Sequence, residues 1–466
     1  MENNKNRILL IAAFFWFVLF LINFGHGAGW SGVYSILIKE IGSASLSYFF
    51  LFSALGGFAL NVALMFFADL LSNERLVQTS FVSFIIILLA DLWAIHAGDV
   101  LGEPAYKTLL IFLAVLIIAV PSVFIIQTWN LINKTFSPKS AANVYPILIT
   151  APLIGSIMGG ATAHRLPKYF ATDQLLVTWI VCIFLAIITT FLLNRHLKAG
   201  TVPAPKEKID RSALVDNFKE GLRHYKTSAF ALDLSVVFMS FWLVCTIIDF
   251  CYAQTLEKTY SSSEEMASFY GGYVTAASIT ALLIQTFLGS KLLKKIGVRC
   301  GFMFLPTSQL LCFLLMLTFP GLWPIVAAMY MQTLIGMSIQ SNSVQVSYNI
   351  FASSVRGKIR TLLEGVINPL GGVIASLIII VLNRLQKDGG FAVESVLPAF
   401  GVFFSAAWLF STFRIRKSYL KEIQWTYDHG NAQDKKDARE AIQIERQAMG
   451  GSGIPENMVK EISDGE

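Results

Sequence analysis

Charge is what this chain has least of. Asp, Glu, Lys and Arg make up 14% of its 466 residues, against 55% hydrophobic residues and a mean hydropathy of +0.61. A soluble protein carries about 25% charged and roughly 45–50% apolar residues, so a soluble fold is excluded. Disulfide and metal chemistry have little support either. The five cysteines (Cys182, Cys245, Cys251, Cys300, Cys312) are odd in number, lie in or beside apolar runs and show no CxxC or Cys/His spacing, which makes them thiols within helices. Enzyme signatures are missing as well: there is no Gly-rich phosphate loop, no HExxH, no GxSxG elbow and no carboxylate pair at helical spacing. The chain reads as a non-enzyme with no cofactor and no metal.

What is present is a series of long apolar runs. They fall at about 8–24, 46–68, 77–97, 107–133, 141–163, 174–194, 230–254, 266–290, 298–318, 322–350, 361–384 and 394–413. Each is long enough to cross a hydrocarbon core of about 30 Å at about 1.5 Å per residue. The fold class expected is therefore an all-α membrane protein with about twelve transmembrane helices in two pseudo-symmetric six-helix bundles. The first run follows Lys5 and Arg7, as a signal peptide would, but keeping it as a helix preserves an even number of spans. Bundles of 1–194 and 229–413 are expected, joined by a cytoplasmic linker at 195–228 that carries Pro203, Pro205 and an amphipathic stretch over 213–225. Residues 414–466 read as a polar cytoplasmic tail, a short helix followed by disorder.

The formal charge of +6 belongs to topology rather than to nucleic-acid binding. With the N-terminus in the cytoplasm, 24 of the 36 Lys and Arg fall inside, among them Lys5, Arg7, Arg75, Lys134 and Lys139, eight in the linker, and Lys291 to Arg299. Only Lys39, Lys107, Arg165, Lys168, Lys258, Arg384 and Lys387 fall outside, and five lie in the distal tail. The bias places both termini in the cytoplasm, and a helical bundle fits a bacterial inner membrane rather than an outer one. The halves also repeat: residues 48–76 and 269–298, the second and eighth runs, share a Gly-Gly early in the helix and a short polar turn after it.

Polar groups at membrane depth are costly and so are functional candidates. Asp249 stands in an apolar seventh run (WLVCTIIDFCYAQT) close to Tyr252 and Gln254, where it is either a substrate ligand, cation ligand or proton carrier, or a carboxylate near the outer interface, hydrated or paired with Lys258. Asp91 lies nearer the end of the third run and reads as interfacial. In the first run, Asn23, His26, Tyr34 and the series Gly25, Gly27, Gly29 and Gly32 interrupt the apolar pattern. The glycines either free carbonyls to coordinate a solute or permit close packing. The fourth run contributes Gln127, Trp129, Asn130 and Asn133. The tenth contributes Gln332, Gln340, Asn342, Gln345 and Asn349, the last three at helical spacing on one face. Asn368 and Pro369 interrupt the eleventh. Substrate-facing residues are expected at Asp249, Gln127, Asn130, Asn342, Gln345, His26 and Tyr252. A gate is expected at Asp69, Arg75, Lys291, Lys295, Arg356 and Pro369.

Three blocks carry a resemblance. WNLINKTFSPKSAANVYPILITAPLIGSIMGG (129–160) resembles the fourth-to-fifth helix block of the nucleotide transporter family, the ATP:ADP antiporters. Residues 266–299 and 349–372 resemble that family's bacterial relatives that carry fused HEAT repeats. The resemblance implies a major-facilitator-like fold, alternating access between two bundles and antiport of a nucleotide or another anionic metabolite. The residues depart from it in one respect: no Lys or Arg lies between Arg7 and Lys39, and Asn143 and Val144 stand before Tyr145–Pro146 where antiporters tend to show a basic residue. A neutral or amphiphilic substrate, a lipid included, therefore remains open. So does a non-transporting membrane subunit that holds a protein partner through the linker or the tail.

Overall fold

The computed structural model describes residues 2–67, 73–136, 144–145, 147–198, 222–287, 289–387 and 393–448. Among them there is no strand, and eleven helices are long and apolar enough to cross a membrane. Inside lipid every backbone N–H and C=O must be satisfied within its own segment, which leaves helices as the solution for such runs. The chain forms α1 (Glu2–Ile41), α2 (Leu46–Phe67), α3 (Asn73–His96), α4 (Glu103–Thr135), α5 (Thr150–Arg165) and α6 (Gln174–Lys198). After residue 228 come α7 (Ala229–Thr259), α8 (Ser263–Phe287) and α9 (Gly289–Thr318). The order ends with α10 (322–349), α11 (353–387), α12 (Val393–His429) and α13 (Ala432–Ala448). The helix at the fifth run, α5, has 16 residues. Residues 141–143 and 146 of that run lie outside the described residues, and the helix that remains is too short to count as a span, so the spans number eleven.

Local chemistry sets the helix ends and the irregularities. Gly102 takes φ 70°, a left-handed turn open to glycine, and Pro104 follows within the first turn of α4, where a missing N–H costs nothing. Helix α10 joins Leu322–Ile335 to Ser341–Asn349 through a π turn at Gly336–Gln340. Helix α11 joins Ser353–Leu362 to Asn368–Lys387 through a second π turn at Leu363–Ile367. Pro369 therefore does not interrupt the eleventh helix. A proline clashes with the carbonyl four residues before it, and a wide turn there relieves the clash while the helix continues.

The chain divides into two compact units, Met1–Lys208 with Ala253–Leu282, and Ile209–Tyr252 with Leu283–Glu466. In the first, α1 lies against α5 and α6, α3 against α4 and α6, and α2 against α4. Apolar contact alone does not drive helices together in lipid, so small residues decide how closely they approach. On α5 the Gly155 and Gly159 pair meets the backbone of α1: a Cβ at Gly155 would stand 2.5 Å from the Phe20 carbonyl, and one at Gly159 would overlap that of Phe24. The glycines of α1 do the same on its other side, with Gly25 and Gly29 fitted to the indole of Trp179. Of the two readings of that series, packing is the one realised. Helix α1 runs unbroken for 40 residues.

In the second unit the polar tail is part of the fold. Helix α12 continues past Arg414 to His429, and α13 packs back on α9 and α12. Glu422, 4% exposed, accepts hydrogen bonds from His224 Nε2 at 2.9 Å and Ser228 Oγ at 2.6 Å. Thr426 Oγ1 donates to the Ile350 carbonyl at 2.7 Å. Asp434, 3% exposed, accepts from the Ser353 N–H at 3.0 Å, capping the start of α11, and from Asn431 N–H at 3.1 Å ahead of α13. The short helix expected in the tail is Ala432–Ala448, and buried carboxylates with specific partners join this segment to the second unit. Residues 449–466 lie outside the described residues.

Candidate functional site

Of the expected substrate residues, the first unit holds His26, Gln127 and Asn130. Gln127 is buried and Asn130 half-buried on α4, with Asn130 Nδ2 donating to Gln127 Oε1 at 3.4 Å. Three-residue spacing puts both amides on one face of the helix. His26 sits on α1 with its ring parallel to Trp30, centroids 6.4 Å apart, and edge-on to Trp179 at 5.6 Å. Its Nδ1 is buried and has no hydrogen-bond partner, so it is not the satisfied packing histidine that a lone membrane His usually is.

The second unit holds the others. Asp249 is half-buried on α7, and Tyr252, one turn further, is fully buried. On α10, Gln345 and Asn349 are exposed, while the side chain of Asn342 lies outside the described residues. The buried members of this polar series are Gln340, at 6% exposure, and the serines Ser338, Ser343 and Ser347. Besides Gln309 Oε1 on α9, three amide oxygens on α10 and α11 are buried without a partner: Gln332 Oε1, Gln340 Oε1 and Asn368 Oδ1. Buried acceptors are almost always paired, so each of these is available to a donor group. Composition pointed to all three residues, but nothing in it separated them from Gln345. Their placement depends on the two π turns, which leave no mark in apolar periodicity.

The gate residues divide. Asp69 lies outside the described residues, as do the side chains of Lys291 and Lys295. Arg75 is exposed in the first turn of α3. Arg356 is committed within its own unit, donating to the carbonyls of Phe351 at 3.1 Å and Asn349 at 2.8 Å and pairing with Asp437 at 3.5 Å. Asp91, expected near the end of its span, is 3% exposed. It stands in α3 close enough to bear electrostatically on Tyr106, whose hydroxyl donates to Glu40 at 3.2 Å. Among the described residues no cluster of His, Cys, Asp and Glu could hold a metal ion.

A group the sequence did not single out joins residues 253–282 to the rest of the first unit. Lys39 Nζ donates to the Ser261 carbonyl at 2.7 Å, and the Ser43 N–H to Glu257 at 3.0 Å. Thr172 Oγ1 reaches Glu264 at 3.0 Å, and Ser268 Oγ donates to the His164 carbonyl at 2.8 Å. Beneath these bonds α5 and α8 touch through glycine. A Cβ at Gly160 would stand 2.8 Å from the Gly271 carbonyl, and one at Gly271 would stand 2.5 Å from the His164 nitrogen.

Residues 108–359 match the family described as TLC ATP/ADP transporter. No curated protein matches the chain. Among solved structures, the nucleoside transporter NupG is similar at a TM-score of 0.59 and 13% identity, over 88% of this chain and 99% of that one. A POT family transporter in complex with 5-aminolevulinic acid is similar at 0.58 and 12%, over 87% and 96%. A bacterial homolog of the human lysosomal transporter Spinster, inward-facing and unoccupied, is similar at 0.50 and 14%, over 96% and 99%. At such identities the likeness is one of fold, the major facilitator type expected from the sequence.

Proposed function

Because the chain belongs to the TLC ATP/ADP transporter family, and is thereby a multi-pass membrane transporter of small solutes, we propose that it carries a nucleotide or a related organic anion by alternating access. The family match over residues 108–359 is the observation that carries this reading. We take 1–194 and 229–413 as the two moving bundles, both termini as cytoplasmic and the bacterial inner membrane as the site of action, on the charge asymmetry of the loops. His26, Gln127 and Asn130 in one unit, and Asp249, Tyr252, Asn342 and Gln345 in the other, are the proposed solute contacts. Gln332, Gln340 and Asn368 join them on their unpaired buried oxygens.

One observation favours a less charged solute within the same mechanism. The central thirds of the apolar runs contain no Lys or Arg, while the unpaired buried groups on α10 and α11 include three amide acceptors that fit N–H and O–H donors. A ligand with several negative charges calls for cations; a nucleoside, a base or another neutral polar solute does not. Thermal unfolding of the purified protein against nucleoside triphosphates, diphosphates, monophosphates, nucleosides and bases separates the two. A ligand at one hundred times its Kd stabilises by about 2.7 kcal/mol, enough to shift Tm by several degrees. Stabilisation that rises with phosphate number supports the anion. Stabilisation by nucleosides or bases alone supports the neutral solute, and none by any member of the panel removes the nucleotide assignment.

A further inference from the structure

The first unit has an apolar groove that the transport reading does not use. It has a volume of about 480 Å³ and is lined by Phe20 and Phe24 of α1, Met158 of α5, Phe170 before α6, and Val181 and Leu185 of α6. These residues belong to the spans and to the turn between two of them, so the open side of the groove faces the bilayer. Met158 is 48% exposed, Val181 51% and Phe170 59%. Along α6 the lining runs from Gln174 to Leu185, about 17 Å at 1.5 Å per residue. That is close to one leaflet, half of the roughly 30 Å hydrocarbon core.

The rim of the groove is basic. Leu166 and Phe170 line it, and the turn they bracket, Leu166–Lys168, carries Lys168, with Arg165 immediately before it. Both cations are exposed. Among the described residues neither pairs with a carboxylate. The acid that follows them in sequence, Asp173, is already engaged by His96 at 3.4 Å. The pair is also out of place on the charge pattern, because it lies at the end of the spans where Lys and Arg are few. Long basic side chains at an interface bury their stems and extend their charged heads to the headgroup layer.

From this juxtaposition we propose that the groove is a binding site for an anionic phospholipid of the bilayer, one acyl chain lying between α1, α5 and α6 and its phosphate held by Arg165 and Lys168. A chain-filling lipid here would brace the α1–α5–α6 face without entering the solute path. Two basic contacts correspond to a preference of about tenfold or more for an anionic over a zwitterionic headgroup.

The test is thermal unfolding and native mass spectrometry of the full chain with added phosphatidylglycerol or phosphatidylcholine. The wild type should retain phosphatidylglycerol about tenfold better and melt higher with it. An Arg165→Gln, Lys168→Gln double variant should keep its lipid-free melting temperature and lose that preference. Val181→Trp, which fills the groove, should lose retention of both lipids. Equal retention of the two lipids by the wild type would overturn the proposal, as would an undiminished preference in the double variant. If Val181→Trp does not fold, Leu185→Phe serves the same purpose, and full retention there would count equally against the site.

Discussion

Replacing Gly160 by Leu is expected to abolish net transport while leaving the protein folded. The backbone of α5 at this point faces the Gly271 carbonyl, the Thr275 nitrogen and the Thr275 hydroxyl, all within 2.9 Å of where a Cβ would stand. A side chain there cannot be absorbed by moving a flexible neighbour, since two of the three atoms are backbone. Overpacking of this kind costs about 1–3 kcal/mol, which as a bias between two conformations is a factor of about 5–150. Under alternating access the α5–α8 seam closes in one state and opens in the other, so the bias falls on the closed state. The contacts of α5 with α1 run through Gly155, Gly159 and the backbone facing Gly27, whereas a side chain at Gly160 points at α8, so they stay intact. Uptake into proteoliposomes should fall to background. In a background with the five native cysteines replaced, a thiol at Ser268→Cys should become reactive to a membrane-impermeant maleimide only alongside Gly160→Leu. Normal uptake by the variant would remove the seam from the mechanism. Gly159→Leu is the contrasting case, expected to prevent folding because it drives α5 from α1.

The second large effect is expected at Asp249. Removing its charge with Asn keeps the shape of the side chain and most of its hydrogen-bonding capacity. Ionisable groups within a span are costly, so their replacement by a neutral isostere does not reduce stability. If the carboxyl binds solute, a cation or a proton, Asp249→Asn should lower uptake by at least about tenfold, the loss of roughly 1.4 kcal/mol of interaction. Its melting temperature should be equal to or above that of the wild type. Uptake within a factor of two of wild type, with the protein intact, would show that Asp249 takes no part in transport. The pairing of the two readouts matters, because a structural role would lower both together.

How far these features could be read in the sequence depends on whether a local pattern specified them. The helices were legible, since a run such as Ala229–Thr259 has no other way to satisfy its backbone in lipid. Their limits were less so. The glycines of α1 suggest a break by composition, yet the indole of Trp179, at least 150 residues away in sequence, occupies the space Gly25 and Gly29 leave and the helix continues. Residues after Arg414 carry enough charge to pass for a solvated tail. Their docking depends on Glu422 meeting His224 and on Asp434 meeting Ser353, partners 198 and 81 residues distant. Among the candidate site residues, the helices that carry Asp249, Gln127 and His26 were readable. Which amides on α10 and α11 keep unpaired oxygens was not, because the π turns at Gly336–Gln340 and Leu363–Ile367 reset the helix face. The seam of Gly160 and Gly271 had a weak signal, in that small residues four apart mark close helix approach, but the partner helix could not be named.

The measurement that bears most directly on the central claim is counterflow in proteoliposomes. Vesicles containing the purified protein are loaded with one unlabelled nucleotide, nucleoside or organic anion at a time and given the labelled form outside. A transporter working by alternating access predicts transient accumulation of label that requires both the protein and its solute inside, and that disappears in Gly160→Leu. Flat uptake for every solute in the panel, with the protein folded and inserted, would contradict the account.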